Sequence, residues 1–493
     1  MLSQLSALLL AITVTAIIFE KNTPISVDIK SDKTNTISSQ KNRPNILIFS
    51  SDGVNSEHMT IYGSERDTTP FMASIASETT IYLNHLTNSS KTTGSVGALL
   101  SGKHPTRTRV LFRPDTFSGQ HMFQHFPAIL KSMGYYNSDI SLRHYVDPQD
   151  LKLRNGFDYA NSRKIDSSPH WFNILLLEYW PNTYLFIEET SQRFYQRVFH
   201  LTGLNNFTNP HRLVTQKVEG QSVTLDRERM NQLVGIINSS PRPFFAHVHL
   251  LGTHGERFDY EKPIFTKTKH QPEPWMNDHY DNAIYQWDQY VKEVYLLLKK
   301  RGELENTILV FNSDHGLDRT INKTLPLVIR FPNQKHTGYV SQPSQRLDIA
   351  PTLLSYLGVP SPDWMDGSSL LSRDNESYPI FIVRSLEQQQ FSSGNWVVAA
   401  NIEPPFYSLG TISVAYCGEL YSLDVNNIES ISMKNQTIHA KTNACPTGGI
   451  NQELAYNLLR DHLNNMGYDT SLLPLNSDFI IDVNSTTHVL SAE

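Results

Sequence analysis

The sequence predicts an α/β protein: a mostly parallel central sheet covered by helices, with a small C-terminal β-containing subdomain. Two observations carry that expectation. Three short apolar runs, at 45–49, 244–250 and 308–312, each end in a polar loop, with helical patterns between them. That alternation produces a helix-covered parallel sheet. Beyond about residue 390 the pattern changes to short β segments and turns, as in NWVVAANIEPPFYSLG and ISVAYCGELYSL.

Taken in order, residues 2–19 carry no charge and are followed by Glu20-Lys21. They predict a signal peptide or an uncleaved membrane anchor over 1–21, since about 20 apolar residues span a bilayer. Residues 22–43 are polar, rich in Ser, Thr and Lys, and read as a linker. Asn45-Ile46-Leu47-Ile48-Phe49 reads as a buried strand, closed by Ser50-Ser51-Asp52-Gly53. Helices are expected over 71–79, 94–101 and 122–133. An aromatic-rich insertion lies at about 160–235. Its richest part, 168–204, reads either as helices packed on the core or as a surface that meets lipid or a greasy substrate. Phe244–Leu250 is a second strand, ending in Gly252-Thr253-His254-Gly255. Residues 280–300 form an amphipathic helix with Ala283, Trp287, Val291, Val294 and Leu298 on one face. The run ILVFNSDHG is the third strand, delivering Asp314-His315-Gly316. The expected catalytic domain is 44–375 and the C-terminal subdomain 376–493.

Bulk composition narrows the function. The chain is 39% hydrophobic and 18% charged, which excludes a disordered chain. Its net charge is −6 and it holds no Lys/Arg block, so nucleic acid is not an expected partner. The two cysteines, Cys417 and Cys445, lie in the C-terminal quarter. They read as inert thiols or, in an exported chain, as a disulfide. Neither is a candidate nucleophile.

In helix-covered parallel sheets, sites form beyond the carboxyl ends of the strands. Here three strands end in Asp52, His254 and Asp314-His315, carboxylates and imidazoles of the kind that hold zinc. Each acid taken singly also suits an ordinary turn. The segment Asn88-Ser89-Ser90-Lys91-Thr92-Thr93-Gly94 puts several hydroxyls before a helix. Such a cluster is often only an N-cap, but a helix N-terminus also favours a bound anion.

The order of these motifs resembles the sulfatase branch of the alkaline phosphatase superfamily, including its phosphoethanolamine-transferase relatives, over about residues 44–370. Asp52 to His58 with Tyr62-Gly63 is similar to D-x-x-R-x-D-H-x-x-x-Y-G. Thr92 to Gly102, then His104-Pro105, is similar to the nucleophile helix C/S/T-x-P-S-R-x-x-L-L-T-G. Gly134-Tyr135 through His144, then Gly156-Phe157-Asp158, resembles the substrate-contacting segments of sulfatases. His249 to Gly255 resembles the transferase loop H-x-x-G-S-H-G. Tyr280 to Ile284, Ser313 to Gly316, Leu347 to Leu354 and Asp366-Gly367 complete the series.

This resemblance implies a metal-dependent hydrolase of sulfuric or phosphoric esters acting through a metal-bound hydroxyl. Asp52, Thr92, Asp314 and His315 would hold one divalent cation, zinc or calcium. Thr92 would be the nucleophile, with Ser90 as the alternative if the helix pattern is shifted. His254 would act at the transferred group, and His144 and His336 would contact substrate. The expected substrate is a small-molecule, glycan or lipid-linked ester, met outside the cytoplasm, with membrane association through the apolar start or the aromatic insertion. Two other readings stay open: a phosphoethanolamine-type transferase acting on a glycan or lipid, and an inactive binding protein on the same fold. The departures are specific. Sulfatases convert a cysteine or serine to an aldehyde hydrate, whereas this helix holds no cysteine, and Gly94 and Val96 replace the usual Pro and Arg. The paired acids of sulfatases read Ser51-Asp52, which weakens a calcium site. The lysine expected beside His144 is Leu142, with Arg143 next to it.

Overall fold

The computed structural model describes residues 43–113, 115–143, 145–165, 190, 225–372, 378–386, 388–390, 396–398, 404–426, 432–438, 449–474 and 481–482. The apolar start, the linker and most of the aromatic insertion therefore lie outside the described residues, as does His144. No described helix is long and apolar enough to cross a membrane.

The large sheet has nine strands: β1 (Asn45–Ser51), β2 (Thr80–Leu86), β3 (Tyr136–Ile140), β4 (Tyr159–Ala160), β5 (Arg163–Lys164), β6 (Phe244–Leu250), β7 (Thr307–Ser313), β8 (Leu327–Arg330) and β9 (Gly338–Gln345). Their order is β5-β4-β3-β6-β1-β7-β8-β2-β9. The β3–β6, β6–β1 and β1–β7 pairs are parallel, while β8 runs antiparallel to both β7 and β2. A parallel return needs a crossover, usually a helix. Between β7 and β8 there is only a 3₁₀ turn, Leu317–Arg319, so the chain doubles back.

The strands are apolar on both faces because both are covered. Leu47 and Phe49 enter one core layer, with Ala283, Trp287, Val291, Val294 and Leu298 of the Asn277–Lys300 helix. This is the face predicted for that helix, which begins three residues earlier than expected. Ile46 and Ile48 enter the opposite layer, with Val96, Leu99 and Leu100 of the Thr92–Ser101 helix and Leu353 and Leu354 of the Ile349–Tyr356 helix. The expected helix at 71–79 is a short helix, Pro70–Ser74, followed by a 3₁₀ turn. That at 122–133 is Phe126–Ser132, with Pro127 in its first turn.

A second, smaller sheet begins at β10 (Ile380–Ser385). After the β11 (Gln388–Gln390) and β12 (Trp396–Val398) hairpin come β13 (Leu409–Tyr416), β14 (Glu419–Asp424), β15 (Ser432–Thr437) and β16 (Ile481–Asp482). The order is β10-β13-β14-β15-β16, antiparallel except for the last pair. The Gln452–Asn465 helix covers it through Ala455, Tyr456, Leu459 and Leu463. β10 also meets the large sheet's loops: Ser90 N donates to Val383 O at 3.0 Å, and Val383 N to Asn88 O at 3.0 Å. Cys417, at the β13–β14 turn, is held in a disulfide.

Candidate metal centre

Strand register builds the centre. In the parallel ladder Ser51 is level with Leu250 on one side and Ser313 on the other. The next positions on β1 and β7 are Asp52 and Asp314, on neighbouring strands about 4.8 Å apart. Side chains alternate with a period of two, so Asp52 and Asp314 share the sheet face of Ser50, Asn312 and His249, the face under the Thr92–Ser101 helix. One ligand atom each from Asp52, His249 and Asp314 lies within 4.8 Å of the others, and all three residues are buried.

The loops are tied so that these side chains converge. Asp52 N donates to Leu250 O (3.0 Å) and Val54 N to Ser313 Oγ (2.7 Å). Tyr280 OH donates to Gly53 O (2.8 Å) and accepts from Asn55 N (3.0 Å). The Asp314 carbonyl accepts from Ser95 Oγ (2.6 Å) and Thr87 Oγ1 (2.7 Å), which fixes β7 to the helix and to the loop after β2. The glycine that closes ILVFNSDHG is required by close approach. A Cβ at Gly316 would stand 2.3 Å from Thr320 Oγ1 and 2.7 Å from Asn55 Oδ1.

Thr92 Oγ1 donates to Asp52 Oδ2 (3.3 Å) and lies 3.4 Å from His315 Nε2. Ser90 is buried two residues earlier, its backbone N–H given to Val383. His254 Nδ1 is 2.9 Å from Asp52 Oδ1, and His249 Nε2 is 3.1 Å from Asp52 Oδ2. Burial alone would raise the Asp52 carboxyl. The charges of His254 and His315 and hydrogen bonds from His249 and His254 outweigh it and hold Asp52 well below the ordinary carboxylate range. Burial likewise opposes a charged His254, but Asp52 and, less strongly, Asp314 raise its pKa above the usual imidazole value.

The donor set fits a cation. His315 Nδ1 donates to Gly316 O (3.0 Å), which in the neutral ring leaves Nε2 as an acceptor. Nε2 faces Asp314 Oδ2 at 3.4 Å and Asp52 Oδ1 at 3.6 Å. Asp314 Oδ1 takes the Gly53 N–H (3.1 Å), while Oδ2 is buried without a hydrogen-bond partner. Buried carboxylates are paired or coordinate metals. The converging oxygens of Asp52 and Asp314, one of them orphaned, with the His315 ring nitrogen beside them, are what a bound divalent cation neutralises.

Five of the expected residues thus come together: Asp52, Thr92, His254, Asp314 and His315. His336 does not. It lies in the β8–β9 loop beyond the amino end of β2, where its carbonyl accepts from Thr80 Oγ1 (3.0 Å) and its ring packs 5.1 Å from that of Phe331. The centre lies at the carboxyl end, past the seven residues of β2, roughly 20 Å away at about 3.3 Å per residue. His336 shared only a sequence neighbourhood with the motifs. Conversely, His249 was not among the expected ligands. The signal was present: His247 and His249 share one face of an otherwise apolar strand, and a buried strand carries histidines only where they have partners. His247 meets Asp139 at 2.7 Å, and His249 reaches Asp52.

Gly94, where the resembling pattern has Pro, touches the loop that delivers Thr92. A Cβ there would stand 2.5 Å from Ser89 Oγ and 3.0 Å from Leu111 O. Ser89 Oγ accepts from Lys91 N (3.2 Å) beside the hydroxyl-bearing turn. Helix propensity alone would make Gly94→Ala stabilising by about 1 kcal/mol. Overpacking reverses the sign, with an expected net loss of about 1–3 kcal/mol in chemical denaturation. A more stable variant would show that the loop yields freely.

A sulfatase family profile matches residues 44–359, nearly two-thirds of the chain. An uncharacterized sulfatase of Escherichia coli, YdeN, is 23% identical over 354 residues, covering 63% of this chain and 58% of that protein. An N-acetylglucosamine-6-O-sulfatase of Bacteroides thetaiotaomicron is 24% identical over 397 residues, covering 66% and 70%. The fold matches a solved Bacteroides thetaiotaomicron 4S-sulf protein of a glycosaminoglycan-metabolism locus. The TM-score is 0.56 at 16% identity, over 86% of this chain and 96% of that one.

Proposed function

The chain belongs to the sulfatase family, and on that premise we propose that it hydrolyses sulfuric or phosphoric esters, with Thr92 as nucleophile. One observation carries the reading: the Thr92 hydroxyl, at the first turn of a buried helix, contacts both Asp52 and His315 inside the carboxylate cluster. Asp52, Asp314, His315 and His249 would hold one divalent cation. Two imidazoles beside two carboxylates suit zinc better than calcium, which prefers six to eight oxygens. When bound, the cation supplies Lewis-acid charge and lowers the pKa of a neighbouring hydroxyl.

The residues divide the remaining work. Thr92 Oγ1 gives up its proton to solvent and attacks sulfur or phosphorus. The bond to the leaving alcohol breaks, and that oxygen takes a proton from His254, whose raised pKa and partly exposed ring (24%) suit a general acid. The N-terminus of the Thr92–Ser101 helix favours the anionic ester so formed. Water then cleaves the Thr92 ester and returns the hydroxyl. A hydroxyl here would equally serve transfer to an alcohol acceptor, so added acceptor alcohols belong in the assay.

The names of the relatives point to a sulfated sugar as substrate. The disulfide at Cys417 supports an oxidising, extracytoplasmic location. The test is turnover of an aryl sulfate, a phosphate monoester and a phosphodiester by purified protein, before and after chelation and with zinc, calcium or manganese restored. Hydrolysis that is lost on chelation and regained with one metal is expected. A metal-loaded protein inert toward all three esters, with or without acceptor alcohol, would overturn the reading.

A further inference from the structure

A fully buried arginine adjoins the metal centre and takes no part in the chemistry above. Arg346 opens the 3₁₀ turn Arg346–Asp348 that follows β9. A charged side chain at that depth is normally paired with a carboxylate. Among the described residues its hydrogen-bond partners are neutral instead. Nη1 donates to Asn312 Oδ1 (2.6 Å) and to Ser313 O (2.5 Å), and Nε reaches Ser95 O at 3.5 Å. Nη2 is buried with no hydrogen-bond partner.

Those partners belong to the elements that build the centre. Asn312 and Ser313 are the last two residues of β7, directly before Asp314. Ser95 lies one turn into the Thr92–Ser101 helix, and its hydroxyl donates to Asp314 O (2.6 Å). Asn312 Oδ1 also accepts from Ser50 Oγ (2.9 Å), two residues before Asp52 on β1. The residues on either side of Arg346 hold the loop that leads to Thr92. Asn88 Nδ2 donates to Gln345 Oε1 (2.8 Å), and Leu347 N donates to Asn88 Oδ1 (3.2 Å). Three consecutive residues thus touch the nucleophile loop, the nucleophile helix and the strand that ends in Asp314. Asn312 shares its sheet face with Asp314, one two-residue repeat or about 7 Å away, so the guanidinium lies one repeat behind the ligand, between β7 and the helix.

We propose that Arg346 is a positioning residue of the centre: its planar fork sets β7 against the nucleophile helix and so fixes how far the Asp314 carboxylate stands from the Thr92 hydroxyl. The inference rests on the ester-hydrolase reading for what that separation serves. A guanidinium holds several acceptors in one fixed plane, whereas a lysine ammonium is a point donor on a flexible stem. Folding gains little from the arrangement. A buried charge with neutral partners and an unmet N–H costs more to desolvate than an apolar side chain of similar size. Methionine at this position therefore separates the two roles: stability holds or rises, while the centre loosens.

The test compares full-length Arg346→Met and Arg346→Lys with the parent by thermal melting, by calorimetric titration of the chelated proteins with zinc, and by kcat and KM for an aryl sulfate and a phosphate monoester. Arg346→Met should melt at or above the parent. Both variants should bind zinc about tenfold more weakly and lose about ten- to a hundredfold in kcat with KM little changed, the scale of groups that orient metal ligands. The direction of the zinc change carries the assignment. Loss of a nearby positive charge alone tightens a dication, whereas a displaced ligand weakens it. Tighter zinc binding by Arg346→Met, parental zinc binding in both variants, or full recovery in Arg346→Lys would overturn the positioning role. So would a loss of zinc binding that only tracks a lowered melting point. Zinc binding is read without turnover, so the two premises part. Weaker zinc binding in the variants beside an inert parent sinks the hydrolase reading alone, and unchanged zinc binding beside an active parent sinks the positioning role alone. A parent that binds no zinc removes both.

Discussion

Asp314→Asn is expected to empty the protein of its divalent cation and to lower ester turnover by about three orders of magnitude or more, the scale of several kcal/mol of lost charge stabilisation. Asparagine is the same size and can still accept the Gly53 N–H that Asp314 Oδ1 now takes at 3.1 Å. The fold should therefore survive. What changes is the other oxygen, Oδ2, buried without a partner and 3.4 Å from His315 Nε2. An amide there carries no charge and presents N–H groups where an acceptor is needed. Metal content by elemental mass spectrometry, with a thermal melt of the chelated protein, separates the two effects. The chelated variant should melt at or above the parent, because an unneutralised buried carboxylate has gone. Full metal occupancy in the variant would remove Asp314 from the ligand set.

Thr92→Ala should reduce turnover by about a thousandfold or more while metal content stays near that of the parent, as loss of a nucleophile acts on the chemical step. The hydroxyl is one contact at the edge of the cluster, 3.3 Å from Asp52 Oδ2, whereas Asp52, Asp314, His315 and His249 keep their mutual geometry without it. Thr92→Ser restores an oxygen and should restore measurable rate. Ser90→Ala is the control, since its backbone pairs with Val383. Rapid quenching of the parent followed by peptide mapping should find the covalent ester on Thr92. An adduct on Ser90, or a Ser90→Ala variant as impaired as Thr92→Ala, would transfer the role to Ser90.

The sequence was informative where chemistry is local. The runs at 45–49, 244–250 and 308–312 are strands because apolar residues flanked by polar turns can bury both faces in a covered sheet. Asp52, Thr92, His254, Asp314 and His315 could be nominated because strand ends and helix mouths are marked by their own residues. β2 and β3 were less legible: Thr80–Leu86 and Tyr136–Ile140 contain Asn84, His85, Asn137 and Asp139, polar groups that only partners on other elements satisfy.

Alone, then, the amino-acid order determined the α/β alternation and which residue types stand at the strand ends, because periodicity and turn chemistry are short-range properties of the chain. Only the tertiary structure decided who meets whom. Register set Asp52 beside Asp314, the strand pleat added His249, and sheet direction sent His336 to the opposite edge. Those outcomes depend on pairing between segments up to 262 residues apart, and no local pattern encodes the level at which two strands align.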